Sequence, residues 1–351
     1  MSGLLIYGAT GYTGALIARA AGGRALHPVL AGRTAGPLAA LAGELALDHR
    51  VFGLEAPAAV AAGLRGVRTV LNCAGPFRHT AAPLADACLR AGVNYLDITG
   101  EVAVFEALAA RDAAARQAGV VLLPGVGFDV VPSDCLAAHL KRRLPSATRL
   151  ALAFRSAGRM SRGTALTAID RMSDGGLVRR DGVLLRVPAA WKTRVIDFGG
   201  GPRVAMTIPW GDVATAFHTT GIPNVEVYLA APWPLRAGAL LTRWFGPLLD
   251  TAFVQRRLRK RIGAGPPGPT EADRRANRCA FWGEVSDEAG GRAVARLETP
   301  DGYTLTVETA VAAAARVLAG DVAPGFQTPA RAFGPDFVLG IPGVVRMDET
   351  A

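Results

Sequence analysis

Leu4-Leu-Ile-Tyr7-Gly8-Ala-Thr-Gly11-Tyr-Thr-Gly14 is the stretch that decides how the rest of the chain is read. A short apolar run ends in three glycines spaced G-x-x-G-x-x-G, and an apolar helical pattern follows from Leu16. A strand entering a helix through such a turn is a cradle for phosphate. Gly8 makes the tight turn, Gly11 lets backbone approach a pyrophosphate, and Gly14 lets the helix pack on the strand. Thr10, Tyr12 and Thr13 fill the intervening positions, where the helix's free N–H groups and positive dipole end face the phosphates. The alternative is an ordinary strand-to-helix turn that uses glycine for positive φ. Three glycines in this register, directly after a strand, favour the cradle.

Outward from that turn, strand and helix patterns alternate. Pro28–Ala31 reads as a second strand, followed by a helix over 36–47. Val51-Phe52 lies in a weak third strand. Thr69–Cys73 is a strong fourth strand that ends at Gly75-Pro76, and a helix over 81–91 closes at Gly92. Asn94–Asp97 is a fifth strand, 102–118 a helix closed by Gly119, and Val120–Leu123 a sixth strand broken by Pro124-Gly125. This is the element count of an α/β, Rossmann-type parallel sheet, predicted for residues 1–132.

After Pro132 the pattern changes. Ser133 and Asp134 are placed to cap a helix running to Leu144. Strands are expected at 148–154, 204–208, 225–229, 281–285, 292–299 and 304–309, with Pro300-Asp-Gly302 as a hairpin turn. Ser161-Arg-Gly-Thr164 opens a helix to about residue 172, and 173–201 carries few periodic signals. A long apolar-to-basic helical stretch, 235–262, is interrupted at Gly246-Pro247. Residues 310–318 read as a helix and the tail as loop.

The chain has 351 residues, half of them hydrophobic and 19% charged, enough for a large core and two domains. Its formal charge is +10, and only Lys141, Lys192 and Lys260 among its 39 basic residues are lysines. A positive field favours anionic partners: a phosphorylated cofactor, coenzyme A, an acidic carrier protein or a membrane surface. No basic helix with interleaved aromatics and no zinc-finger spacing supports nucleic acid. Cys73, Cys88, Cys135 and Cys279 form no C-x-x-C pair, no metal site is expected, and the thiols read as reduced. No leader precedes Leu4 and no apolar run spans a bilayer, so the expected location is cytoplasmic.

Arg33 follows the second strand, where the adenosine ribose sits in this fold. An acidic residue there would favour NAD; an arginine fork suits a 2′-phosphate, so the expected cofactor is NADP. Cys73, Ala74, Gly75 and Pro76 lie at the carboxyl end of the fourth strand, where ligands of open α/β sheets bind. Cys73 reads as a packed thiol and contributes backbone. Asp97, Glu101, Asp129 and Asp134 end the fifth and sixth strands. A buried carboxyl there could hold a proton for transfer, or simply cap backbone N–H groups. Glu101 and Asp129 are the candidates for polar groups beside the nicotinamide. Arg162 in a first helical turn, Trp210-Gly-Asp212 and His218 are candidate pocket residues of the second domain; for each a structural role is the competing reading. Arg256–Arg261, after the apolar segment around Trp244–Phe253, is either a solvated helix face or a dock for an acidic carrier or a lipid surface. There is no G-x-S-x-G, H-E-x-x-H, P-loop lysine or Tyr-x-x-x-Lys pair, so the proton relay of short-chain dehydrogenases is absent.

Taken together, 8–14, Ala31-Gly-Arg33, Asn72–Phe77, Tyr95–Glu101 and Pro124–Asp129 resemble the saccharopine dehydrogenase-like family. Arg162–Ala165, Trp210–Asp212, His218–Asn224, Pro324–Pro329 and Gly334–Leu339 are similar to its bacterial trans-acting enoyl reductase branch. The resemblance implies a Rossmann domain (1–132), a second α+β domain (133–309) and a C-terminal segment (310–351) returning to the first. It further implies hydride transfer from NADPH to an enoyl intermediate, a small hydrophobic substrate held by an acyl carrier protein. A saccharopine-type amino-acid dehydrogenase and a non-catalytic, lipid-associated NADP-binding protein are the alternatives; peripheral membrane contact is compatible with the last.

Overall fold

The computed structural model describes residues 3–24, 26–156, 158–170, 175–249 and 251–349, with side chains throughout except at 170 and 242–249. Its elements run β1 (Leu4–Tyr7), α1 (Tyr12–Gly23), β2 (Val29–Gly32), α2 (Ala35–Leu45), β3 (His49–Val51), α3 (Pro57–Gly63), β4 (Thr69–Asn72), α4 (Phe77–Ala91), β5 (Asn94–Asp97), α5 (Val102–Ala109), α6 (Asp112–Ala118) and β6 (Val121–Leu123). Then come α7 (Val131–Arg143), β7 (Arg149–Ser156), α8 (Arg162–Asp170), β8 (Gly176–Arg180), β9 (Val183–Val187), β10 (Thr193–Asp197), β11 (Pro202–Thr207), α9 (Asp212–Thr220), β12 (Asn224–Ala230), α10 (Trp233–Leu249), α11 (Ala252–Gly263) and α12 (Glu271–Ala276). The chain finishes with β13 (Arg278–Ser286), β14 (Arg292–Pro300), α13 (Gly302–Ala319), β15 (Gly325–Phe326), α14 (Pro329–Phe333) and β16 (Val345–Asp348).

Two compact units result, one of residues 1–131 with 303–334, the other of 132–302 with 335–351. The first holds a parallel seven-stranded sheet in the order β15-β6-β5-β4-β1-β2-β3. All four residues of β1 are buried, as are those of β2 and β4, because helices cover both faces. Leu5, Tyr7, Val29, Val70, Tyr95, Leu122 and Phe326 belong to one continuous core. The second unit holds a mixed sheet in the order β10-β11-β12-β7-β13-β14-β16, with the β8–β9 hairpin attached through β12. The β12–β7 pair is parallel and its other pairs are antiparallel.

Several expectations are corrected. Residues 304–309 are the first turns of α13, not a strand. The Thr/Val alternation there mimics a strand, but an alanine-rich run continues it. Thr309 Oγ1 donates back to Leu305 O (2.9 Å) and lies 2.8 Å from Val126 O, so its hydroxyl is satisfied within a helix. The hairpin turn is therefore Asp287–Gly291, where Gly291 N donates to Asp287 Oδ1 at 2.7 Å. Residues 176–197 form three strands; 171–174 lie outside the described residues. The β8–β9 turn is Asp181-Gly182, both at positive φ (47° and 79°), a hairpin signature the periodicity reading passes over. The segment after 310 does not return as a whole to the first unit: β15 pairs with β6, but β16 pairs with β14. Arg346 Nη2 to Asp336 Oδ1 (2.7 Å) and His139 Nε2 to Asp348 Oδ1 (2.7 Å) hold 335–348 in the second unit. The break in the long helical stretch falls after Leu249, not at Gly246-Pro247. No described helix is long and apolar enough to cross a membrane.

Candidate cofactor site

The glycine turn joins β1 to α1 at the carboxyl end of the parallel sheet. Gly8 has φ +81°, and a Cβ there would lie 2.7 Å from Ala74 N, so the turn abuts the end of the neighbouring strand β4. At Gly14 a Cβ would fall 2.3 Å from Gly8 O, the close helix-on-turn contact expected of the third glycine. Gly11 is different. It is exposed, it begins α1 at φ −68° without a side-chain cap, and a Cβ would meet only Gly8 O at 3.3 Å. A helix leaves its first-turn N–H groups without intrahelical acceptors, and here no side chain covers them from the cap position. At the end of β4, Gly75 is equally open: a Cβ would meet only the Phe77 ring, at 3.6 Å. Two open glycines at adjacent strand ends are what a diphosphate lying across them requires. The residues fit the cofactor.

A chain of hydrogen bonds fixes the β4 turn. Asn72 Oδ1 accepts from Ala74 N (3.0 Å), and Asn72 Nδ2 donates to Thr80 Oγ1 (3.1 Å) and Tyr95 OH (3.2 Å). Thr80 Oγ1 donates to Ala74 O at 2.6 Å, closing a ring around the turn. The Gly75–Pro76 bond is cis, and Pro76 precedes α4. Tyr95 OH donates to Asp97 Oδ2 (2.8 Å), while Asp97 Oδ1 accepts from Thr99 N (3.0 Å) and Gly125 N (2.9 Å). Asp97 is fully buried. Burial raises its pKa to about 6 against the lowering effect of those hydrogen bonds, and the Glu101 charge adds to the rise. Burial, with the Asp97 charge adding, pushes the Cys73 thiol well up, so this sulfur is no thiolate.

Glu101 is 7% exposed, and its two carboxylate oxygens accept from the first two backbone N–H groups of α4: Phe77 N at 2.8 Å and Arg78 N at 3.1 Å. It therefore ties the β5–α5 loop to the β4–α4 turn as a helix-terminus carboxylate. Asp129 lies against the same loop: a Cβ on Gly100 would be 2.6 Å from Asp129 Oδ2. The structure thus brings Glu101 and Asp129 together, beside the turn that carries Cys73, Ala74, Gly75 and Pro76.

Arg33 is the first residue beyond β2 and is exposed, with no hydrogen-bond or ion-pair partner among the described residues. Its charge tends to lower the pKa of Tyr7, which burial and Glu55 nevertheless raise. Sequence reasoning missed Tyr303. It is the second residue of the returning helix α13 and meets Tyr12, the first residue of α1, edge to face at 5.1 Å. No motif spacing announces it, because only the return of the chain to the first sheet places it there. The same return puts Thr306 Oγ1 3.0 Å from Phe128 N, bracing the loop that carries Asp129.

In the second unit, Ser161 Oγ accepts from Thr164 N at 3.2 Å, a plain helix cap, and Arg162 Nη1 donates to Gly263 O at 3.3 Å. Trp210 packs on Phe154 at 4.8 Å. Ser133 donates to Asp212 Oδ1 (2.7 Å) and Thr219 to Asp134 Oδ1 (2.5 Å), so these polar groups join α7 to α9. His218 lies 5.6 Å from the Phe217 ring on α9.

Comparison with known proteins agrees with this geometry. The family model for the saccharopine dehydrogenase NADP binding domain matches residues 4–123. A trans-acting enoyl reductase of Mycobacterium leprae is 35% identical over 151 residues, which is 40% of this chain and 36% of that protein. A saccharopine dehydrogenase-like oxidoreductase of Bos taurus is 24% identical over 280 residues, 73% of this chain and 59% of that one. The chain thus matches about a third of the length of the mycobacterial relative. Among solved structures, saccharopine dehydrogenase (L-Glu forming) of Saccharomyces cerevisiae superposes with a TM-score of 0.65 at 11% identity, covering 99% of both chains. Homospermidine synthase of Legionella pneumophila, solved with NAD, gives 0.64 at 10% identity, covering 96% and 88%. At those identities the likeness is one of fold. Residues 4–123 thus match the saccharopine dehydrogenase NADP binding domain, in a chain whose fold is similar to that of saccharopine dehydrogenase and whose sequence relatives include trans-acting enoyl reductases and saccharopine dehydrogenase-like oxidoreductases.

Proposed function

We propose that the chain is an NADPH-dependent oxidoreductase that reduces a hydrophobic enoyl or acyl thioester, held by an acyl carrier protein. The observation that carries the cofactor half of this reading is the pair of open glycines, Gly11 and Gly75, at the ends of adjacent strands β1 and β4. The α1 N–H groups bind the diphosphate, and Arg33 pairs with the 2′-phosphate that distinguishes NADPH from NADH. When bound, NADPH supplies a hydride for an electron-poor β-carbon. Glu101 and Asp129 stand at the β4, β5 and β6 ends, the side of an open sheet where the reacting ring belongs. Glu101, with both oxygens engaged, holds the Pro76–Phe77 backbone in place. Asp129 is the candidate for a group that touches substrate or orders the water that protonates the α-carbon. The substrate class rests on the relatives named trans-acting enoyl reductase, similar over 40% of this chain.

The test is steady oxidation of NADPH by the purified chain, followed by nicotinamide absorbance. Turnover with a crotonyl-type thioester, faster on a carrier protein than on a free thioester, is the expected result. Oxidation only with a keto acid plus an amine would replace this reading with an amino-acid dehydrogenase of the saccharopine type.

A further inference from the structure

Helix α10 is nearly devoid of charge, and the described part of it is poorly covered. Trp233 is 66% exposed, Leu235 51% and Leu241 56%. At helical spacing Trp233 and Leu240 share one side, Leu241 lies a quarter-turn round, and Leu235 nearly opposite. Among its described side chains, Ala239 packs against the small cluster of Ala190, Met206 and Ala231. Arg236, its guanidinium carbon 5.6 Å from the Trp233 ring centre, is the charge among these side chains; large apolar side chains left exposed on more than one side of a helix mark interaction sites.

The next helix, α11, packs against α10 and says what that something is. Val254, Gln255, Leu258 and Ile262 form its half-buried side. On the opposite side Phe253 is 66% exposed, with Arg256, Arg257 and Lys260 three, four and seven residues on and all exposed. Residues 233–263 contain seven basic residues and a single acid, Asp250. An aromatic ring ringed by cations, beside an apolar helix headed by tryptophan, is the composition that lies in the interface of an anionic bilayer. A protein partner would cover one side of α10; the headgroup and acyl boundary accepts apolar side chains on several. At about 25 Å, from ~1.5 Å per residue, α10 is shorter than the hydrocarbon core and carries two arginines, so it lies on a membrane and does not span one.

We propose that α10 and α11 form a peripheral docking surface for anionic lipid, with Trp233, Leu240, Leu241 and Phe253 entering the interface and the α11 cations contacting headgroups. The inference does not depend on the reaction proposed above.

The experiment is co-sedimentation of the full chain with vesicles of phosphatidylcholine alone and with about a third phosphatidylglycerol. Binding to the anionic vesicles only, released by high salt, is expected. Replacing Arg256, Arg257 and Lys260 together by serine lowers that partitioning on the order of a hundredfold. Phe253→Ser and Trp233→Ser each lower it as well, with NADPH affinity and circular dichroism unchanged. Equal partitioning to neutral and anionic vesicles overturns the proposal, as does undiminished binding by the triple variant. Capture of an acidic carrier protein by the α11 cations, with no vesicle binding, overturns it too and assigns the surface to that protein.

Discussion

Gly14 sits so close to Gly8 that a Cβ on the one would fall 2.3 Å from the carbonyl oxygen of the other. Gly11, between them, is exposed, and a Cβ there would meet only Gly8 O, at 3.3 Å. The three glycines therefore answer differently to substitution. Gly14→Ala forces helix α1 off the turn and lowers stability by about 1–3 kcal/mol, read from denaturant unfolding. Gly11→Val loses a favourable N-cap residue and costs about 1 kcal/mol, leaves circular dichroism unchanged, and abolishes dinucleotide binding because its methyl groups occupy the approach to the diphosphate. A folded Gly11→Val variant that still binds NADPH would show that the phosphates lie elsewhere.

Arg33 is exposed and without a described partner, so its removal costs the fold little. Arg33→Ala should weaken NADPH roughly 10- to 100-fold, the loss of a charge-assisted contact, and leave NADH nearly unchanged. Calorimetric titration with both nucleotides decides it: equal loss for the two would remove the 2′-phosphate role.

Glu101 accepts from both leading N–H groups of α4, those of Phe77 and Arg78. Glu101→Ala should cost about 1 kcal/mol through two part-buried donors left without their carboxylate, and weaken NADPH because the Gly75 turn is no longer held. Glu101→Gln keeps one acceptor and should fall between. Wild-type stability in Glu101→Ala would refute the clamp. Loss of turnover in Glu101→Gln with affinity and stability unchanged would indicate direct chemistry instead.

Asp97 gives a pH signature with a definite sign. Its folded pKa of about 6 lies above the ordinary 3.8, so the folded state holds the proton more tightly than the unfolded chain. Its contribution favours folding most below the unfolded value and declines as pH rises toward 6, by about 3 kcal/mol at most. Paired carboxylates such as Glu226, Asp112, Asp336 and Asp348, whose pKa values are lowered, act in the opposite direction. The comparison with Asp97→Asn isolates the effect. The stability difference, wild type minus variant, should fall between pH 4 and pH 6.5; a flat or rising difference would contradict the burial argument.

How much of this was legible beforehand follows from where each signal resides. The glycine turn, Arg33 and the Gly75-Pro76 turn are local, because strand, turn and helix lie within a few residues and fixed spacing carries the geometry. Glu101 is legible by its place at a strand end, yet its capping of α4 is a contact across 24 residues that no spacing encodes. Tyr303 and Thr306 reach the site by a return of the chain over more than 170 residues from Phe128, and nothing local marks that path. Residues 304–309 mislead for a physical reason: β-branched threonines raise strand propensity, and the alanine-rich run after them carries the helix, with Thr309 Oγ1 satisfied by Leu305 O and Val126 O. The β8–β10 strands are short and partly exposed, so their periodicity is weak where Asp181-Gly182 was the better guide.

The proposed grip of the β1–α1 turn on the diphosphate of NADP, with Arg33 selecting the 2′-phosphate, is open to direct titration. The most direct measurement is titration of the folded chain with NADPH and NADH, read by the fluorescence of the reduced nicotinamide. Saturable binding is expected, roughly micromolar for NADPH and at least tenfold weaker for NADH. No saturation by either nucleotide at millimolar concentration would rule out the proposed diphosphate grip.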